Sequence, residues 1–449
     1  MSHPEPLQPA YNFNSAPERV ILSQGMVEVS LDGTVYPGTA DLLLQFIPSP
    51  RLIFHARVQG GKWSPLAFTF NEPVDESLSF NGQVVDGFSA ARKSGINAVT
   101  WELDWYSKFE PVMLCDMQSK SPVSAIFHLF NFPDFRGGQY REGAPAGFSL
   151  LILVSEEWRF SVQELSDGAT REAWKRIKAE GICCLTHMVK LERSDGKPFS
   201  GEEASEQCHL LDNFLAFVKG GWCTAVCGVG LAEDGERTWT TFASPRTSNP
   251  PYSWFTPCNA SQAERLFPMF ANRWQQSDEW RECLRAVIYW YMQANTSGRS
   301  PSIDTAIILG QSALERLAYH YLVVDRKMIS GKGFDDLRAS DRLRILFTVC
   351  GIPNEITDTT PDIRQANDGF PKNSKWMDAP HAITDIRNSL VHPVSKKDVR
   401  DCYVDAWKLS LWYLELSVLA LCGYDGTYTN RLTATYTSDL EGVPWGQKV

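Results

Sequence analysis

The chain reads as an α+β protein, with a β-rich N-terminal module forming a sandwich or barrel-like sheet and an all-α helical bundle after it. Three observations predict this. From about Val20 to Phe242 the apolar residues alternate or form short β-branched runs. After about residue 266 their period changes to 3.6. A turn-rich stretch, Ser244-Pro-Arg-Thr-Ser-Asn-Pro-Pro-Tyr-Ser253, lies between. Residues 1–18, rich in Pro, Asn and Ser, read as a flexible leader; 19–260 as the β-rich module, with the traits of a recognition or sensor domain; and 266–449 as the helical domain.

The expected strands come in order. Met26-Val-Glu-Val-Ser-Leu31 alternates, and Leu42–Ile47 and Leu52–Val58 are apolar and branched. Leu66–Phe70, Ala125–Phe130, Phe148–Val154 and Trp158–Val162 follow at close spacing. After a helix over Thr170–Glu180, strands resume at Cys183–Leu191 and Trp222–Leu231, with helical spacing from Glu202 to Val218 between them. Arg237-Thr-Trp-Thr-Thr-Phe242 is the last strand. No phosphate-binding loop, dinucleotide fingerprint, zinc-protease motif or nucleophile elbow occurs, so this module reads as a recognition element.

Composition narrows the class. With 43% hydrophobic and 21% charged residues the chain is an ordinary globular one, and no apolar run reaches 18 residues. Met1-Ser-His-Pro-Glu-Pro is neither basic nor apolar enough for a signal peptide, so a cytoplasmic protein with no membrane partner is expected. The net charge of −10 resides in the N-terminal part, which holds 22 basic against 31 acidic residues, whereas the part from 266 holds 21 against 22. A nucleic-acid contact would therefore use a local basic cluster. The eleven cysteines are scattered and odd in number, which reads as reduced core thiols. Cys183, Cys184 and His187, then Cys208 and His209, then Cys223 and Cys227 form three groups, but the last pair sits in an apolar strand-like run; no metal and no cofactor is expected.

In the helical part, Trp280, Leu284, Val287, Ile288 and Tyr291 line a first helix, and Ser302 or Asp304 caps a second. A shorter helix runs from about Asp341 to Cys350. Residues 352–380 read as a long loop, either an ordinary exposed one or a flap or substrate guide in which Lys372, Lys375 and Trp376 offer cations and a stacking surface. Ser395 can cap the last long helix, which Gly423 ends, and the Thr- and Tyr-rich tail from Tyr424 forms a strand or wraps onto the N-terminal module.

Directly before that last helix stands Asp385-Ile-Arg-Asn-Ser-Leu-Val-His-Pro393. On a helical wheel at about 100° per residue His381, Asp385, Asn388 and His392 share a polar stripe, and Ile383, Ile386 and Leu390 lie opposite. Arg387 is on the flank, where its long side chain reaches round. Pro393 biases His392 out of the α region, placing it at the helix C-terminus. A guanidinium fork, an amide and a histidine suit phosphate chemistry: the fork holds the phosphate, the amide orients a hydroxyl and the imidazole moves protons. Glu315, polar within an apolar helix, either orients Arg387 or His392 or pairs with a surface cation.

The run Arg387-Asn388-Ser389-Leu390-Val391-His392 resembles the R-N-x-x-x-H signature of the HEPN superfamily, and the likeness covers the final 170 or so residues, roughly five helices. What the resemblance implies is metal-independent endoribonuclease activity on tRNA or mRNA, from a homodimer joined through the helical domain. Arg387 and His392 are then the catalytic pair with Asn388 beside them, and the products are a 2′,3′-cyclic phosphate and a 5′-OH. The layout is similar to two-domain anti-phage HEPN proteins, which implies abortive infection and a phage-derived protein trigger at the N-terminal domain. Two alternatives stand: a non-catalytic RNA-binding or dimerisation protein, and the toxin of a toxin–antitoxin pair.

Overall fold

A computed structural model of the chain describes residues 6–13, 18–60, 76–94, 100–114, 122–136, 149–248, 252–298, 301–392, 398–436 and 438–446. The expected strand at Leu66–Phe70, Phe148 and the expected cap Ser395 lie outside the described residues. The chain divides into two compact units that interleave in sequence: residues 1–131, 163–205 and 224–246 form the first, and 132–162, 206–223 and 247–449 the second. The single cut expected at 260–266 is therefore too simple. The helical unit recruits two earlier stretches because their aromatic side chains pack within its core.

The first unit begins with β1 (Arg19–Leu31), β2 (Thr34–Gln45), β3 (Arg51–Gln59), β4 (Glu76–Phe80), β5 (Gln83–Val85), β6 (Gly87–Ser94) and β7 (Thr100–Ser107). They form one sheet in the order β5-β4-β1-β2-β3-β7-β6. Its strands alternate as their sequences do: Leu52, Phe54, Ala56 and Val58 of β3 are buried, while His55 and Arg57 face outward. The sheet curls almost into a barrel, and the Ser89 N–H and Oγ both donate to the Glu76 carboxylate at 2.8 Å, tying β6 to β4.

Two further strands, β8 (Val112–Leu114) and β9 (Ser124–Phe130), precede β10 (Leu150–Val154) and β11 (Trp158–Glu164); then come α1 (Ala169–Glu180), β12 (Leu185–Arg193), α2 (Gly201–Lys219), β13 (Ala225–Leu231) and β14 (Arg237–Phe242). Within the first unit these give antiparallel neighbours in the order β12-β9-β13-β14-β8. One core joins this layer to the first sheet, with Phe54, Phe80 and Trp105 on one side and Ile126, Phe130 and Met188 on the other.

Residues 7–13 of the expected leader are docked onto this core. Tyr11 is buried, and the Ala10 N–H donates to His128 Nε2 at 3.0 Å. His128 Nδ1 meets the Cys227 carbonyl at 2.9 Å, so the proton sits on Nδ1. Burial pushes His128 down to about 4, and burial pushes His187 down to about 3. An unfolded histidine titrates near 6.5, so between pH 6.5 and 4 the unfolded chain takes up a proton that folded His128 refuses. Stability therefore falls as pH drops through that window, by about 3 kcal/mol for His128 alone. His128→Gln is expected to lower the urea midpoint at pH 7 and flatten its decline towards pH 4.5; an unchanged slope would refute this.

The second unit contains β10, the Glu206–Lys219 part of α2 and eight further helices: α3 (Ser261–Gln275), α4 (Asp278–Ser297), α5 (Ile303–Tyr319), α6 (Gly331–Asp335), α7 (Ala339–Val349), α8 (Pro361–Gly369), α9 (Ala379–Val391) and α10 (Tyr403–Cys422). Phe214 of α2 packs on Phe267 and Phe270 of α3 at 4.9 and 5.4 Å, and Phe160 packs on Phe267 at 5.6 Å. Ser277 caps α4 by accepting from the Trp280 N–H at 3.2 Å. α5 is the hub, packing against α4, α7, α9 and α10, and it runs on into a π-helical turn, His320–Asp325. Among the described residues no helix is long and apolar enough to cross a membrane.

After α10, Gly423 adopts φ +80° and turns the chain back. The tail then straps across its own unit: the Thr429 N–H donates to the Trp254 carbonyl at 2.7 Å, and Gln262 Nε2 to the Thr427 carbonyl at 2.8 Å. Arg431 ends up fully buried against Glu415, in the middle of α10, which is also fully buried. Arg431 Nε reaches Glu415 Oε2 at 2.8 Å, and the Tyr291 hydroxyl donates to the same carboxylate. Burial alone would drive Arg431 towards neutrality, but the Glu415 charge and hydrogen bonds outweigh it and hold the guanidinium above its ordinary range.

Candidate functional site at the end of helix α9

Helix α9 starts at Asp378-Ala-Pro, where Asp378 adopts an extended conformation and its Oδ1 accepts from the His381 N–H at 2.9 Å. Arg344 of α7 clamps that cap through Asp378, at 3.1 Å for one of its two contacts, and also pairs with Asp341. These contacts hold the guanidinium further into its charged form. Ala382, Ile383 and Ile386 are buried against the neighbouring helices, while Leu390 near the free end is only half-buried. Asp378→Ala is expected to cost about 1–2 kcal/mol through loss of the cap. Asp378→Asn, which keeps an acceptor, should cost less in the same urea titration; equal losses would mean that the ion pair dominates.

The structure places the six expected site residues in two sets. Arg387, Asn388 and His392 stand together at the C-terminal end of α9. Arg387 is half-buried and bends round the helix so that one guanidinium nitrogen donates to Asn388 Oδ1 at 3.2 Å. Among the described residues no carboxylate neutralises it, and its buried Nε has no hydrogen-bond partner. His392 ends the helix in an extended conformation, φ −120°, ψ 110°, and its backbone N–H donates to the Asn388 carbonyl at 2.9 Å. Its side chain is exposed. The local result is an unneutralised cation with an amide against it and an accessible imidazole one turn on.

The supporting residues are occupied elsewhere. His381 Nδ1 accepts from the Met377 N–H at 3.2 Å, stabilising the turn into α9. Asp385 accepts from Trp376 Nε1 at 2.8 Å. Glu315 takes Gln311 Nε2 at 3.0 Å and faces Arg342 of α7 at 3.6 Å, so it belongs to the α5–α7 contact, and among the described residues it pairs with neither Arg387 nor His392. The flap expected over 352–380 is largely ordered. It contains α8, and Asn367 Oδ1 accepts from the Trp376 N–H at 2.7 Å. Trp376 is buried and offers no stacking surface, and Lys375 lies 3.8 Å from Asp368.

The cysteine groups do not converge. Burial pushes Cys223 and Cys227 each up to about 12, and Cys227 sits at φ +54° where β13 is irregular. Among the described residues no group of three or more side chains is arranged to hold a metal ion. What sequence reasoning missed is the Arg344–Asp378 clamp. Its signal was legible, because Asp before Ala-Pro is a helix-start pattern.

Residues 277–441 match the family model described as the YopA C-terminal domain. That span contains the whole of α9 and the buried Glu415–Arg431 pair. Residues 118–253 match the YopA central domain. The chain is also 26% identical over 449 residues to a curated Bacillus subtilis (strain 168) protein described as SPbeta prophage-derived uncharacterized protein YopA, with 97% of this chain and 96% of that protein covered. No solved structure matches.

Proposed function

We propose that the chain is a metal-independent endoribonuclease of HEPN type, acting in the cytoplasm in defence against phage. The observation that carries the reading is Arg387: a half-buried guanidinium, free of any carboxylate among the described residues, held against Asn388 and one turn from exposed His392. A cation left unneutralised in a protein of net charge −10 is suited to an anion from outside, and the planar fork suits a phosphate.

In this reading the ribose 2′-OH attacks the adjacent phosphorus while His392 moves the proton. Arg387 balances the charge of the phosphorane, and Asn388 holds the hydroxyl or the imidazole in place. The 5′-oxygen leaves as a hydroxyl and the 2′,3′-cyclic phosphate remains. Two copies of the helical unit would bring two motifs to one RNA, tRNA or mRNA, and the β-rich unit would sense a phage protein or restrain the nuclease. The prophage origin of the relative supports a role in conflict between phages.

The test is incubation of the purified chain with total tRNA and mRNA in EDTA, with chemical reading of the ends and parallel scoring of growth on expression. Cyclic-phosphate ends support the reading. Intact RNA together with harmless expression would sink it.

A further inference from the structure

The outward face of the first sheet carries a second arrangement, separate from α9. Phe88 of β6 and Tyr106 of β7 are directly paired across the strands and lie on one face, with rings stacked at 5.8 Å and 24°. Phe88 is 52% exposed. On the β3 side of the same tyrosine, the Arg51 guanidinium lies 5.2 Å from the ring centroid. Just past the end of β7, Lys108 Nζ lies 5.4 Å from the centroid of Phe109, which is 63% exposed. Among the described residues neither Arg51 nor Lys108 has a carboxylate partner, and Arg51 Nε is buried with no hydrogen-bond partner. Beside them opens a cavity of about 370 Å³ whose lining includes Gln83, Asp86, Ser107 and Phe109.

We infer that this end of the sheet binds a nucleobase that carries a phosphate. An exposed, flat aromatic stack offers a π-face to any base, and the two cations without counter-ions offer charge to the phosphate next to it. The Gln83 amide and the Asp86 carboxylate in the cavity are the donor and acceptor types that read a base edge. Its volume is at the small end of ligand pockets.

The same face limits the ligand's length. Asp104, two residues along β7 from Tyr106, pairs with His55 at 2.8 Å, and Arg57 lies 3.3 Å from Asp41 and 3.7 Å from Glu102. Further phosphates along the sheet would meet carboxylates whose cations are already taken. The ligand is therefore short, either a free nucleotide or the terminal residues of a single strand.

The experiment uses the full chain with AMP and UMP by titration calorimetry, and with fluorescein-labelled pentathymidylate by anisotropy. The DNA strand lacks the 2′-OH, so the outcome is independent of any ribonuclease activity. Binding by wild type, weakened about ten-fold or more in Phe88→Ala and in Arg51→Ala, is the expected result. Phe88→Trp should retain it, and Met26→Ala, a 63% exposed residue on β1, should leave it unchanged. Binding of the mononucleotides alone, or of the strand alone, identifies which source is used. Absence of binding by wild type at millimolar ligand, or equal binding by Phe88→Ala with its fold verified by circular dichroism, overturns the inference.

Discussion

His392→Ala and Arg387→Ala are each expected to reduce RNA cleavage to background. A positioned general acid–base contributes about 10²–10⁴ in rate, and removal of a charge that meets the transition state costs a comparable factor. His392 is exposed and, among the described residues, only its backbone is hydrogen-bonded, so His392→Ala should melt within about 1 °C of wild type. Arg387 is half-buried, so Arg387→Lys is the better partner variant: it keeps the charge and loses the fork. Asn388→Ala should retain measurable activity, because its amide positions without carrying charge. A protein that kills or protects cells equally well with His392→Ala would be acting by binding, and the nuclease reading would fail.

The largest stability effect is expected at the Glu415–Arg431 pair. Arg431→Met leaves a carboxylate at zero exposure with, among the described residues, only the Tyr291 hydroxyl donating to it, and an unpaired buried charge costs about 3–5 kcal/mol. At about 2–4 °C per kcal/mol, the helical unit should melt at least about 6–20 °C lower by calorimetry. Glu415→Leu combined with Arg431→Met should recover much of that loss, since an apolar pair of similar volume has no charge to strand. A double variant as unstable as Arg431→Met alone would mean that the tail matters through its backbone bonds, such as Thr429 to Trp254, and that the charges are incidental.

Much of the architecture was legible because it depends on local patterns. The apolar, branched run of β3, the strand Arg237–Phe242 and the helical spacing of Cys208, Leu211, Leu215 and Val218 each appear where the sequence places them. Gly423 ends α10 by the conformation that glycine alone adopts cheaply. The misses are of another kind. Helix α3 was hidden because Pro268 lies inside it, and a proline within a short apolar run reads as a break. Tyr11 gave no sign of burial because its partners, His128 and Phe242, are more than a hundred residues away.

The site divides in the same way. The meeting of Arg387 with Asn388 follows from adjacency on one helix, and His392 at the helix end follows from Pro393. That Asp385 and His381 serve Trp376 and Met377 depends on how the chain turns into α9, and that Glu315 serves Arg342 depends on the packing of α5 on α7, which no helical spacing encodes. Glu415 was the clearest unused signal. A carboxylate in the middle of the apolar run Leu411–Leu421 of α10 has to find a cation, and the strap supplies it.

The interleaving of the two units also sets an order of completion during synthesis. Every stretch of the β-rich unit has been synthesised once residue 246 is made. The helical unit by then holds only residues 132–162 and 206–223, with Phe160, Phe214 and Phe217 awaiting partners that come later in the chain. Even after α10 is made, Glu415 waits a further 16 residues for Arg431, about 1–3 s at ordinary translation rates. A nascent chain thus completes the sequence of the β-rich unit well before that of the helical unit.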